Sequence, residues 1–402
     1  MLSDIEKLAK ELKKEDIALP VIEVKSGSLA NIPAYVKENG FQDILLVADE
    51  HTYEAAGGAL AELLDAQNIP YRTMILEPNK HGQLIADEAT IVQLFAETSK
   101  KTDLLVAVGS GTLHDIVRFV GDKMSIPFIS VPTAASVDGF TSKGAPLIFR
   151  GEKKTVQASS PLAIFADIDI LKKAPKAMTA AGFGDILGKY TSLLDWKISD
   201  LIGKEPYNEL AAAITRKSLE DCVGNVDKIA AGDEEGLEIL MNALIDSGLV
   251  MLLLDFSRPA SGGEHHLSHY WEMELLKQDA EQLLHGTKVG VTTAIITELY
   301  KKLAEQLTVD DLSAASVYYD ALQVHWPEIK EHIIQLPSAD TLRSLLKTVG
   351  GAATPDELGV PDALVEESLN NAFHLRERCT GLLLANHIKK NKISYPLSVV
   401  PI

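Results

Sequence analysis

A chain of 402 residues exceeds what one ordinary hydrophobic core serves, so two domains are expected, and its 46% hydrophobic fraction excludes a disordered protein. A formal net charge of −19 sets the chain against nucleic acid and anionic membranes, so an anionic substrate must be met by a local exception. Two cysteines, Cys222 and Cys379, are too few for a disulfide framework or a thiolate zinc site.

The opening segment, MLSDIEKLAKELKKEDIAL, reads as a charged amphipathic helix without the unbroken apolar core of a signal peptide. The apolar run Gly248 to Phe256 is short and carries Asp255, so a soluble, cytoplasmic protein with no membrane insertion is expected. Apolar, β-rich runs follow at Pro20–Val24, Asp43–Ala48, Thr73–Leu76, Leu104–Val108 and Phe128–Val131, with helix-like stretches such as Ala55–Leu64 and Ile85–Thr98 between them. Continuous apolar strands separated by helices predict a parallel sheet covered on both faces. Leu147–Phe149 and Lys154–Gln157, around Arg150-Gly151-Glu152, predict a hairpin, and Leu162–Ala166 a last strand. After Pro175, Ala, Leu, Glu and Lys dominate and a 3.6-residue period recurs to about His387. The expected fold is an α/β Rossmann-like domain over residues 1–173, then an all-helical domain over 174–402, with the active site in the cleft between them.

Within the first domain, the run Leu104–Val108 leads into Gly109-Ser110-Gly111-Thr112 and then a helix from His114. Glycine lets backbone approach a phosphate, and the free N–H groups of a first helical turn point at it. The turn is neither a GxGxxG fingerprint nor a P-loop, and by itself it fits a plain tight turn as well as a pyrophosphate cradle. Asp49 ends the run Ile44–Ala48, where an acid can accept hydrogen bonds from an adenosine ribose; an isolated aspartate there more often caps a helix or faces solvent.

Eleven histidines are spread over the chain, four of them between 265 and 285. His265 and His269 share one helix face, His266 points elsewhere, and His285 opens a second helix. HExxH is excluded because His266 follows His265. Two histidines from separate helices need a third ligand to hold a divalent metal, and Asp185 in Gly182-Phe183-Gly184-Asp185 is the best candidate. Glycines flanking an acid in an otherwise good helix cost stability, which points to close packing or ligand access. The alternative is a set of buried, hydrogen-bonded histidines. Arg258, just before the Ser261-Gly262-Gly263 turn, combines a forked donor with a helix N-terminus and is a candidate for a substrate phosphate, with Lys143 and Lys189 as competitors. Its alternative is an ordinary salt bridge.

In order, GSGTLHD, PTAASVDGFTS, GFGDILGK, SGGEHHLSH and HGTKVG resemble the glycerol-1-phosphate dehydrogenases, in the superfamily that also holds iron-type alcohol dehydrogenases, glycerol dehydrogenase and dehydroquinate synthase. The likeness runs from about residue 20 to 300. It implies reduction of dihydroxyacetone phosphate to sn-glycerol 1-phosphate by NADH or NADPH, in a homodimer. It also implies one divalent metal on Asp185, His265 and His285, with Lys189 where iron-type enzymes place a fourth ligand, hence three protein ligands. Gly109, Ser110, Gly111, Thr112 and Leu113 would cradle the cofactor pyrophosphate, helped by Thr133, Ser136 and Ser142. Asp138 and His269 would meet the substrate, with Asp185 beside it and His269 relaying a proton or orienting a hydroxyl. The bacterial branch is associated with nickel and NADH, the archaeal branch with zinc and NADPH; two histidines and a carboxylate accept nickel, zinc or iron alike. A dehydroquinate synthase shares metal, cofactor and phosphorylated substrate, but resembles this chain less at PTAASVDG and usually has glutamate where Asp185 stands. A non-catalytic cofactor-binding regulator is opposed by the intact Asp185, His265, His269 and His285.

Overall fold

Every residue of β2 (Ile44–Ala48), β4 (Leu104–Gly109), β5 (Phe128–Pro132) and β8 (Ala163–Asp167) is buried, the mark of strands covered on both faces. With β1 (Val21–Lys25) and β3 (Tyr71–Ile75) they make a six-stranded sheet in the order β1-β8-β5-β4-β2-β3, all pairs parallel. The structure, a computed structural model, describes residues 2–308 and 317–402. From β2 the chain steps outward to β3, then crosses back over to β4 and proceeds the other way. The strand order therefore switches between β2 and β4, and the crevice beyond their C-terminal ends is where such sheets take ligands. Asp49 and the Gly109–Thr112 turn flank that crevice.

β6 (Gly144–Phe149) and β7 (Glu152–Gln157) form the expected antiparallel hairpin. Its two-residue turn puts Arg150 at φ 54 and Gly151 at φ 76, the positive-φ pair whose twist suits a tight hairpin.

The sheet domain is followed by a helical one. The helices that build the site are Lys176–Leu187, Lys189–Leu201, Glu234–Leu254, Gly263–Lys277 and His285–Gln306. Glu234–Leu254 is long and apolar enough to cross a membrane, with an 18-residue stretch of mean hydropathy 1.9, but 72% of that stretch is buried inside the fold, where it serves as a core helix. One element departs from the expected grouping of residues 1–173. The N-terminal helix Leu2–Glu11 buries Ile5, Leu8 and Ala9 in the helical core, beside Leu219, Leu240 and Leu244. Its apolar face found a partner across the cleft, which sequence order does not reveal.

Candidate active site

The helix Gly111–Met124 starts directly from β4, and Ser110 at its N-cap gives its first-turn amides no side-chain acceptor. These amides are thus left to face the crevice. His114 fixes the turn from below: its Nδ1 lies 2.8 Å from the Ser110 carbonyl and its Nε2 2.7 Å from Ser130 Oγ. The carbonyl can only accept, so Nδ1 carries the proton and Nε2 receives that of Ser130. Burial pushes this imidazole down to about 3, so it stays neutral. Asp49 does cap a helix, its Oδ1 accepting from Thr52 N at 2.8 Å, yet it also lines the crevice. The cap uses one carboxylate oxygen and leaves the other without a side-chain role in it.

Across the crevice, Gly184 and Gly286 explain how Asp185 meets His285. A Cβ on Gly184 would lie 2.4 Å from the Gly286 carbonyl oxygen, and one on Gly286 would lie 1.9 Å from that of Ala181. Two glycines therefore let the helices Lys176–Leu187 and His285–Gln306 touch backbone to backbone. Ligand atoms of Asp185, His265 and His285 consequently lie within 4.8 Å of one another. His265 Nε2 is 3.6 Å from Asp185 Oδ1, while its Nδ1 is 2.7 Å from Glu264 Oε1, which leaves Nε2 as a lone-pair donor. Glu264 is held in turn by Thr191 Oγ1 at 2.6 Å and by the Gly262 N–H at 2.6 Å. Asp185 Oδ1 and His285 Nδ1 are buried without a hydrogen-bond partner. Burial above all keeps His265, His269 and His285 well below their ordinary value, hence neutral. Unpartnered acceptors and neutral imidazoles around one point fit a divalent metal, which supplies what they lack.

Lys189, one turn beyond Asp185, is buried and donates to Asp138 Oδ2 at 2.6 Å, with Asp185 Oδ1 at 3.6 Å. An ammonium has no lone pair, so Lys189 in this state is not a metal ligand. Burial alone would raise Asp138, but Lys189 outweighs it and holds the carboxyl below its ordinary value. Asp138 also accepts from Ser247 Oγ at 2.8 Å, and its own N–H donates to Asp185 Oδ2 at 3.0 Å. Its loop is pinned by Arg118, which donates to the carbonyls of Gly139, Phe140 and Gly144 at 2.5, 3.1 and 2.8 Å.

One cavity of about 980 Å³ joins these parts, reaching from Asp49 and Ser110–Thr112 past Ser136, Asp138 and Ser142 to His265, His269 and His285. Gly109, Leu113, Thr133 and Asp185 stand behind its wall; Leu113 packs on Gly109, and the Thr133 N–H donates to the Gly109 carbonyl at 3.0 Å. His266 is fully buried away from it. The expectation for Arg258 is corrected. It lies outside the wall, paired with Glu205 and resting on the Phe256 ring, and the amides of the turn it was to share are taken by Glu264 and Asp195. Arg376 and Arg378 reach the cavity in its place. They come from a C-terminal segment without period or motif, so only their charge in an acidic chain could have drawn notice.

A glycine turn facing an Asp-His-His cluster across a switch-point crevice is the arrangement of a metal-dependent dehydrogenase, and residues 23–175 match the iron-containing alcohol dehydrogenase family. Similar folds include glycerol dehydrogenase from Schizosaccharomyces pombe, at TM-score 0.65 and 18% identity over 94% of this chain and 87% of that one. The chain is 46% identical to a glycerol-1-phosphate dehydrogenase [NAD(P)+] of Geobacillus stearothermophilus, over 93% of its own length and 94% of the relative's. To that of Bacillus subtilis it is 42% identical, over 96% of each chain. It belongs to the glycerol-1-phosphate dehydrogenase family.

Proposed function

We propose that this protein reduces dihydroxyacetone phosphate reversibly to sn-glycerol 1-phosphate with NADH or NADPH, as its family's name implies. The observation that carries the reading is the cluster of Asp185, His265 and His285, whose two histidines line the same cavity as the Gly111 helix start while Asp185 stands just behind them. When bound, a divalent metal supplies Lewis-acid polarisation of the C2 carbonyl, and a nicotinamide supplies the hydride. The amides of Gly111, Thr112 and Leu113 receive the pyrophosphate, with the Ser136 and Ser142 hydroxyls beside it. Asp49 keeps one carboxylate oxygen for a ribose. Asp138, held by Lys189 and Ser247, offers its other oxygen to a substrate hydroxyl. His269 lies 6.0 Å from His265 and 5.9 Å from His285 between ring centroids, close enough to orient a substrate hydroxyl or to relay a proton to the developing alkoxide, one ring nitrogen taking up a proton from solvent as the other gives one up. Nickel and zinc both suit the donor set. Family membership further supports a homodimer in the cytoplasm, which sedimentation and fractionation test.

The deciding experiment strips the protein of metal and follows NADH oxidation with dihydroxyacetone phosphate after adding nickel or zinc. Turnover restored by either metal is expected; none with either metal, and with either nicotinamide, rejects the assignment. A regulator that only bound cofactor would have no use for Asp185 and His285 acceptors left open in the core.

A further inference from the structure

We infer that Arg376 and Arg378 are the substrate-phosphate clamp of this cavity, an inference that rests on the proposed reaction for its ligand but on the structure for its site. Six cationic side chains of lysine or arginine line the cavity. Four already have a carboxylate partner: Lys143 has Asp255 at 3.5 Å, Lys154 has Glu152 at 3.5 Å, and Lys153 and Lys288 share Glu272 at 2.8 and 2.9 Å. Among the described residues, Arg376 and Arg378 have no carboxylate within ion-pair distance. Their partners are neutral: Arg376 Nη1 faces Ser261 Oγ at 3.2 Å and Ser257 Oγ at 3.4 Å. Arg378 Nη2 donates to Ser257 Oγ at 2.9 Å, and its Nη1 to the Ser261 carbonyl.

Both are half-buried on the cavity wall, and a guanidinium partly withdrawn from water is ordinarily paired, since an unpaired charge grows costlier as it loses solvent. Two of them side by side repel as well. Burial, with Arg376 and Arg258 nearby, pushes the Arg378 guanidinium down to about 9. An arrangement this unfavourable in a chain of net charge −19 needs an anion to complete it. A phosphate dianion suits two planar forks better than it suits a point charge.

The segment is also rigid and correctly placed. Cys379 N–H donates to Glu205 Oε1 and Gly381 N–H to Asp195 Oδ1, at 2.9 and 2.8 Å, which fixes the chain on the far side of both arginines. Ser261, which both arginines contact, stands four residues before His265. Ser261 lies just ahead of the helix Gly263–Lys277 that carries His265, and the arginines and His265 line the same cavity, so one small phosphorylated ketone can meet both.

The test compares wild type with Arg376→Gln, Arg378→Gln and the double variant, metal-loaded and with NADH present so that the glycine-turn anion site is filled. Two readouts are taken: the thermal shift produced by inorganic phosphate, and the ratio of kcat/KM for dihydroxyacetone phosphate to that for dihydroxyacetone. Phosphate should raise the wild-type Tm but not that of the double variant. The ratio should fall about a hundredfold in the double variant, chiefly through KM for the phosphorylated ketone. Without ligand the variants should melt no lower than wild type, since each relieves repulsion. An unchanged phosphate shift, or equal losses on both ketones, overturns the inference; so does a variant too unstable to fold, because the arginines would then serve the fold. If wild type reduces neither ketone, the proposed reaction fails while the phosphate shift still decides the clamp.

Discussion

Asp49 caps its helix through Oδ1 and Thr52, an arrangement a serine can reproduce. Asp49→Ser therefore removes the carboxylate charge while keeping the cap, and isolates its effect on the cofactor. A carboxylate at the ribose repels a 2′-phosphate, so wild type should prefer NADH, and Asp49→Ser should shift the NADPH:NADH ratio of kcat/KM upward by about tenfold or more, at unchanged Tm. A wild type that favours NADPH, with the ratio unmoved by the substitution, contradicts this role. At this same scale Asp185, the best third-ligand candidate in the sequence, has one oxygen on the Asp138 amide and the other left open toward His265.

Elements, more than residues, decide whether the triad assembles. The helices of Asp185 and His285 approach through Gly184 and Gly286, where even a methyl group would meet a carbonyl oxygen at 2.4 Å or less. Gly184→Ala should lower stability by roughly 1–3 kcal/mol, as overpacking does, and weaken metal retention together with it. Calorimetry and metal analysis on the same sample check both, and a stable variant with full metal would remove the packing argument. A second joint lies between the hairpin and the helices, where Glu272 on Gly263–Lys277 bridges Lys153 of β7 and Lys288 of His285–Gln306. Burial alone would raise the Glu272 carboxyl, but Lys153 and Lys288 outweigh it and hold it well below its ordinary range. A depressed carboxyl stabilises the fold above its unfolded value and loses that contribution as pH falls toward the folded one. Glu272→Gln leaves the buried Lys288 ammonium and the half-buried Lys153 ammonium unpaired and should cost about 3 kcal/mol or more near neutral pH. The gap in Tm from wild type should hold from about pH 8 to 5 and narrow below about 4.5, where the unfolded carboxyl begins to bind protons. A gap independent of pH down to the acid transition would mean that the pair is not ionic.

For the whole molecule, a metal held at the proposed site would act as a clasp, since the three candidate ligands come from three separate helices: Asp185 from Lys176–Leu187, His265 from Gly263–Lys277 and His285 from the helix it opens. Anything that binds the folded state alone stabilises it by mass action, about 2.7 kcal/mol at a hundredfold excess over Kd. Chelation should lower the Tm by several degrees, and nickel or zinc should restore it. Asp185→Ala, His265→Ala and His285→Ala should each abolish that restoration and the bound metal measured by mass spectrometry, while NADH binding persists. Full occupancy in all three variants would sink the ligand assignment.

The sheet was legible because fully buried parallel strands must be continuously apolar, and the motifs of the site were legible because turns and metal ligands demand particular residue types at short spacing. GSGT and the His265–His269 face depend only on local chain geometry, which sequence states directly. What remained hidden depends on contacts between distant segments. Arg258 sits beside the right turn in sequence but answers to Glu205, whereas Arg376 and Arg378, more than a hundred residues away, fold back onto Ser257 and Ser261. Likewise the charge on Lys189 is explained only by Asp138, and the N-terminal helix lies with the helical core only because its apolar face is completed there. Local sequence therefore determined the strands, the glycine turn and the residue types that can hold a metal; the tertiary structure decided which buried charges are paired, because a charge taken out of water is stable only against a partner that the chain can bring from anywhere.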